Sequence, residues 1–380
     1  KTAAFVESRY GSDPRIRLKR LEVNGGISEN TNAAIRMATG EFLMFSDHDD
    51  FLEPNALYEM VKALNEDRSL DLIYTDEDLC DEKGEHYFSP RMKPDFNPDF
   101  LRCINYICHL VMVRRSLAEE AGLLRKECDG AQDYDFLLRC IEKTDRIHHI
   151  PKVLYHWRAS ETSTAGNQDS KNYAIEAGKK ALTEHYARLG YEAEVEYTGI
   201  FILYKMRLKV KGEPLVTILI PNKDQVETLD EKTDYPNFEI VIVENNSEKA
   251  ETFAYYEKMK MEHENLHVVY YQGGFNYSAI NNFGARHAKG EYLLLLNNDT
   301  EVISPFWIRG FCQREDTGAV GAKLYYPDGL VQHCGVVVGI ANFAGHVQNF
   351  HTSQDAGYFG RLKAVQDISA VTAACMLVKR

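Results

Sequence analysis

Short unbroken apolar runs punctuate a largely polar chain: Phe42 to Phe45, Val216 to Ile220 and Tyr292 to Leu296. Continuous rather than alternating runs predict strands buried by helices on both faces of a parallel sheet; a buried helix segment is the alternative, and their shortness argues against it. Further strands are predicted at Asp71 to Tyr74, Asn105 to Arg114, Pro151 to Arg158, Ala193 to Tyr197, Phe201 to Val210 and Glu239 to Val243. Arg15 to Arg20 alternates basic and apolar with period two, which predicts a half-exposed strand. Helical spacing covers Asn32 to Ala38, with Gly40 suited to a left-handed helix end, and Pro54 to Leu64, with Leu57, Met60, Val61 and Leu64 on one face. Residues 171–189 predict a helix ended by Gly190, and Gly122 closes another after Arg115.

Two of these stretches are copies. GEFLMFSDHDD from Gly40 and GEYLLLLNNDT from Gly290 are offset by 250 residues, and the same offset pairs Asn32 with Asn282, Arg36 with Arg286 and Ala38 with Ala288. Further on, His109 to Arg114 matches Ala374 to Lys379 with an offset of 265. The chain therefore reads as two tandem α/β units, 1–212 and 213–380, divided at Gly212 and Pro214. On this alignment Lys1 maps near Glu251, so unit one lacks counterparts of Val216 to Ser247 at its N-terminal side, and unit two stops short of an Asp133 equivalent. Neither half is then expected to turn over substrate within these 380 residues.

The charge balance, 44 Lys+Arg against 57 Asp+Glu, argues against nucleic acid as a partner. Eight cysteines without a Cys-x-x-Cys pair read as reduced thiols of a cytoplasmic protein. No apolar stretch approaches the roughly 18 residues needed to span a bilayer and no signal peptide opens the chain, so the expected membrane contact is at most peripheral, on the inner face of the plasma membrane.

Candidate chemistry collects where the apolar runs end. Ligands of open α/β sheets bind outside the carboxyl ends of the strands, where Asp47, Asp49 and Asp50 fall, with Asp299 in the second copy. Clustered hard oxygen donors suit Mg²⁺ or Mn²⁺, which use one or two carboxylates plus substrate phosphates; a solvated acidic turn is the alternative. Asp76, Glu77 and Asp78 form a second acidic group, facing acceptor hydroxyls or solvated in a turn. Asp133 in GAQDYDF is placed at the amino end of an amphipathic helix, with a helix cap as the alternative. His156, Trp157 and Arg158 offer an imidazole, an aromatic plane and a guanidinium fork to a diphosphate, ahead of a Ser160 to Thr164 loop suited to a lid.

The order of these motifs, strand to Pro221-Asn222-Lys223-Asp224, strand to Glu244-Asn245-Asn246-Ser247, then helix-Gly-strand to Asn297-Asn298-Asp299, resembles the family 2 glycosyltransferases of the GT-A fold. The resemblance covers nearly the whole chain and implies two tandem GT-A-like domains, the first truncated at its N-terminus and the second at its C-terminus. It implies nucleotide binding through Pro221, Asn222, Asp224, Glu244 and Asn245, metal binding through Asp47, Asp49 and Asp299, Asp133 as catalytic base, and His156 with Arg158 on the diphosphate. Unit two departs from the pattern at Asn297, where unit one has Asp47. Gly274 to Ser278 and Gln332 to Val336 resemble tandem-domain bacterial enzymes building rhamnan or O-antigen polysaccharides. The implied reaction is inverting transfer from a nucleotide-diphosphate sugar to a glycan or lipid-linked acceptor. Alternatives are a non-catalytic carbohydrate-binding or scaffold module for unit two, and a sugar-phosphate nucleotidyltransferase, against which the glycine-free Pro221 to Asp224 loop argues.

Overall fold

The computed structural model describes residues 2–159, 168–224, 235–303 and 310–380. The lid expected at Ser160 to Thr164 lies outside them. The chain divides into two compact α/β units, residues 1–206 with 359–367, and residues 207–358 with 368–380.

Unit one runs α1 (Thr2–Tyr10), α2 (Gly26–Ile35), β1 (Phe42–Phe45), β2 (Phe51–Leu52), α3 (Ala56–Glu66), β3 (Leu72–Cys80), β4 (Tyr87–Arg91), α4 (Pro98–Leu101), β5 (Val111–Arg114), α5 (Arg115–Ala121), α6 (Gln132–Ile141), β6 (Ile147–Arg158), α7 (Gln168–Arg188), β7 (Ala193–Tyr197) and β8 (Tyr204–Leu208). Its main sheet has the order β1-β5-β3-β6-β2, with β4 on β3. This sheet is mixed, not parallel: β5 lies antiparallel to both β1 and β3, and only β3 with β6 is parallel. The short apolar run of β1 is consistent with either direction, because burial on both faces, not strand polarity, writes that pattern. Met60, Ile73, Leu110, Met112, Leu154 and Tyr155 form one buried cluster of the core. Leu57 and Val61 of α3, expected on its inner face, are exposed; the buried stripe is Ala56, Met60 and Ala63. Arg15 to Arg20 forms no strand, since Arg15 and Arg20 pair with Asp13 and Glu7 rather than with a neighbouring backbone. Residues of the 359–367 segment join this unit through Asp367, which accepts from the Asp99 N–H at 3.1 Å and exchanges bonds with Asn97.

Unit two runs β9 (Val216–Asn222), β10 (Phe238–Glu244), α8 (Ala250–Glu262), β11 (Leu266–Tyr270), α9 (Tyr277–His287), β12 (Tyr292–Leu296), β13 (Ala319–Gly321), β14 (Leu324–Tyr325), β15 (Val331–His333), β16 (Val336–Val338), β17 (Ala344–His346) and β18 (Cys375–Lys379). Strands β11-β10-β9-β12 are parallel, and β18 and β13 extend the sheet antiparallel. Alternate residues of the apolar runs go to opposite faces: Ile218, Ile220 and Ile242 pack with Tyr256 and Met259 of α8, while Leu219, Val241 and Val243 pack with Ile280 of α9. Both faces are thus covered, as the unbroken runs predict.

The repeat is visible in the pairing register. Phe42 faces Arg114 and Leu43 faces Val113 in unit one, and Tyr292 faces Lys379 and Leu293 faces Val378 in unit two, which are the residues that the 250 and 265 offsets match. Gly40 is not a left-handed helix end, because α2 has already stopped at Ile35. Its counterpart Gly290 is needed for close approach: a Cβ there would lie 2.6 Å from the Thr217 nitrogen and 2.8 Å from the Leu215 oxygen.

Candidate active site

In unit one, β1 delivers the chain to Asp47, His48, Asp49 and Asp50, and the short β2 then pairs antiparallel with the end of β6, Phe51 opposite His156. Asp50 anchors this corner. Its carboxylate accepts from the Tyr155 hydroxyl and, at 2.9 Å, from the Arg158 N–H, while the Asp47 N–H donates to the same Tyr155 oxygen at 3.3 Å. With Asp50 engaged, Asp47 and Asp49 are left facing outward, their side chains 54% and 56% exposed. Asp47 lies 3.8 Å from His109 Nε2. Partial burial raises the Asp47 carboxyl above its usual range; His109 opposes this, and Asp50, Asp49 and Asp133 add to it. The negative charge that these three carboxylates add at Asp47 is what a divalent cation would relieve. Among the described residues no group of three or more His, Cys, Asp or Glu surrounds a common point. A Mg²⁺ or Mn²⁺ ion held by Asp47 and Asp49 would therefore take its other ligands from phosphate and water, which is how Mg²⁺ is commonly bound.

The two aspartates of GAQDYDF separate by function. Both lie in the first turn of α6. Asp135 is fully buried and locked by Arg125 and Arg139, whose Nη2 is 2.7 Å away, and these cations hold its carboxyl below the usual range against its burial. Asp133, half-buried, accepts from Asn105 Nδ2 at 3.0 Å and is among the charges that act on Asp47. It is not a helix cap: the residue capping α6 is Ala131.

Asp76, Glu77 and Asp78 are neither a turn nor solvated. They lie within β3, at 1%, 1% and 8% exposure, because β3 runs on to Cys80. Asp76 accepts from Lys93 N–H and meets His149 at 2.9 Å; Glu77 pairs with Arg91 and Lys93. Asp78 pairs with His156 Nδ1 at 2.6 Å, and Glu53 lies 3.2 Å from His156 Nε2. The imidazole expected to meet a diphosphate is thus buried with both nitrogens engaged, a consequence of the β2–β6 corner bringing Glu53 beside it. Arg158, part-exposed with its guanidinium over the Phe51 ring at 5.2 Å, remains at the edge of the site.

In unit two the five residues expected to grip a nucleotide sit at the carboxyl ends of β9 and β10, where Glu244 lies opposite Asn222. Asn222 is buried between Tyr256 and Asn298, at 2.6 and 2.7 Å, and Glu244 accepts from Tyr256 and Ser247. Asn245 donates to the Tyr271 and Gly273 carbonyls. Asp224 accepts the N–H groups of Lys249 and Glu248 at the start of α8, and the Lys249 bond foremost keeps its carboxyl below the usual range. Four of these side chains therefore shape the loops, and Pro221, lying within β9, has no side-chain polar group to offer. Asn297 accepts from the Tyr277 hydroxyl at 3.1 Å, and Asp299 is exposed.

His109 and Tyr155 line the carboxylate site without any mark in the local sequence. Both lie in apolar stretches, and only the placement of β5 and β6 brings them to Asp47.

A sheet whose strand ends collect carboxylates beside a helix-borne aspartate defines an α/β protein with a candidate site at its strand ends. The chain belongs to glycosyl transferase family 2, whose model matches residues 1–122 and 223–329. It is 43% identical, over 97% of its length, to protein y4gI of Sinorhizobium fredii, and 40% identical, over 100%, to the O-antigen biosynthesis protein RfbC of Myxococcus xanthus. It spans 42% and 30% of the lengths of those two relatives. A chondroitin synthase of Pasteurella multocida is 26% identical over 41% of the chain and 16% of its own length. Among solved structures, S. aureus TarS 1–349 in complex with UDP is 17% identical with a TM-score of 0.34, covering 50% of this chain and 59% of its own. The mannosyltransferase PcManGT of Pyrobaculum calidifontis, in complex with GDP-Man and Mn²⁺, is 19% identical with a TM-score of 0.28, covering 41% and 46%. Among the described residues no helix is long and apolar enough to cross a membrane.

Proposed function

We propose that the chain is part of an inverting, metal-dependent transferase that moves a sugar from a nucleotide-diphosphate donor to a growing surface polysaccharide or lipid-linked glycan. The observation that carries this reading is the outward-facing pair Asp47 and Asp49 at the end of β1, 54% and 56% exposed, with Asp133 in the first turn of α6 among the charges that act on Asp47. Asp47 and Asp49 would hold Mg²⁺ or Mn²⁺, which would supply charge neutralisation of the leaving diphosphate. Asp133 takes the proton of the acceptor hydroxyl as that oxygen attacks the anomeric carbon and the bond to the diphosphate breaks. Arg158 pairs with the diphosphate, and His156, bridging Asp78 and Glu53, positions it. Similarity to an O-antigen biosynthesis protein supports the polysaccharide product. All eight cysteines being thiols supports a cytoplasmic site of action, at the inner face of the plasma membrane.

Residues 213–380 are proposed as a second domain of the same kind, in which Pro221, Asn222, Asp224, Glu244 and Asn245 shape a nucleotide pocket and Asp299 keeps one carboxylate for a metal. Its Asn297, tied to Tyr277, favours binding over catalysis for this unit. The test is transfer from labelled nucleotide sugars by the full-length protein containing this chain. Asp133→Asn should leave donor binding intact while transfer falls about a hundredfold or more; an equal loss of donor binding would make Asp133 structural.

A further inference from the structure

His109 is held in place at considerable cost and its imidazole is left unspent. The buried histidines of unit one have both ring nitrogens engaged: His149 by Asp76 and Asp95, His156 by Asp78 and Glu53, His185 by Glu142 and Arg102. The His109 ring is 22% exposed, stacks on Tyr155 at 5.1 Å and meets the edge of Trp157 at 6.1 Å. Among the described residues the nearest charged group to it is the Asp47 carboxylate, at 3.8 Å, beyond hydrogen-bond reach.

Its backbone, by contrast, is clamped by a buried ion pair. Glu77 Oε2 accepts the His109 N–H at 2.5 Å, and Lys93 Nζ donates to the His109 carbonyl at 2.5 Å. Lys93 spends its other two protons on Glu77, at 3.2 Å, and on the Ile107 carbonyl, at 2.9 Å. Both side chains of the pair are 1% exposed. Burying two charges costs several kcal/mol per ion before their attraction is counted, so such a pair is weak evidence for stability and calls for another role.

We infer that His109 contacts the ligand, donating Nε2–H to an oxygen of the diphosphate gathered by Asp47, and that Lys93 and Glu77 are positioning residues that aim it there. The inference rests on the proposed donor site and adds to it a nitrogen donor 3.8 Å from the Asp47 carboxylate. The N–H and C=O of one residue are both held, so the backbone that carries the imidazole meets its partner with a reduced ordering cost at the moment of binding.

Calorimetry with inorganic pyrophosphate and Mn²⁺ tests it on the 380-residue chain. Asp47→Ala should abolish the binding, and His109→Ala should weaken it about tenfold, the effect of losing one hydrogen bond to a charged group. His109→Gln, which keeps an N–H donor, should recover part of the loss. The charge-neutral pair Lys93→Met with Glu77→Gln should weaken binding to the same level, and adding His109→Ala to it should cost nothing more, since the variants remove one interaction. Binding by His109→Ala within twofold of wild type, while Asp47→Ala abolishes it, overturns the inference and leaves the donor site standing. Additive losses in the triple variant overturn the positioning role. If the paired variant does not fold, the Ala and Gln replacements of His109 decide the contact alone. No binding by the wild type overturns the donor site and the inference together.

Discussion

Asn297 occupies the place that Asp47 holds in unit one, and the exchange removes a charge as well as weakening a donor. The amide accepts the Tyr277 proton at 3.1 Å, which the Ala373 carbonyl also shares at 2.9 Å. Asn297→Asp should therefore raise the affinity of unit two for Mn²⁺, by about tenfold or more for an added hard anionic ligand; Mn²⁺ titration against wild type checks this, and unchanged affinity would mean that Asp299 faces away from any metal. At this scale the sequence was an uneven guide. The place of Asp133 in the first turn of α6 was legible because a helix start announces itself locally, whereas the burial of Asp76 to Asp78 was not, because it depends on the length of β3 and on Lys93, His149 and His156 arriving from elsewhere.

Among the elements, the bonds that Asp224 accepts from the Glu248 and Lys249 N–H groups just ahead of α8 and from the Thr252 hydroxyl predict that Asp224→Ala lowers the thermal midpoint of unit two, while Asp224→Asn, which keeps an acceptor, restores most of it. A loss of nucleotide binding with no loss of stability would instead give Asp224 a direct contact. The ends of β15 and β17 meet in His333 and His346, whose Nδ1 atoms are 2.9 Å apart, and the Thr372 N–H donates to His333 Nε2. Burial, then His346, pushes His333 down to about 4. The unfolded chain takes up this proton near its ordinary value of about 6.5 and the folded chain refuses it until about 4, so stability falls as pH drops through that window and levels off below it. The expected loss is on the order of 3 kcal/mol. Unfolding at several pH values should show this slope and His333→Gln should flatten it; an unchanged slope would assign it to other groups. Strand positions were largely legible from the apolar runs, but Arg15 to Arg20 was not, because period two describes a possible sheet face and cannot supply a neighbouring strand.

For the whole molecule, the repeat found in the sequence reappears as a shared register, β1 on β5 and β12 on β18, with basic residues Arg114 and Lys379 at matching positions. The antiparallel insertion of β5 between β1 and β3 left no trace in the runs, since a strand buried on both faces reads alike in either direction. That insertion matters for chemistry, because it brings His109 and the β6 corner to the carboxylates that β1 delivers. The central claim is that these carboxylates form a metal-dependent diphosphate site. Calorimetric titration of a nucleoside diphosphate, with and without Mn²⁺, tests it most directly: Mn²⁺-dependent affinity lost in Asp47→Ala and in Asp49→Ala is the predicted result, and unchanged affinity in both variants would contradict it.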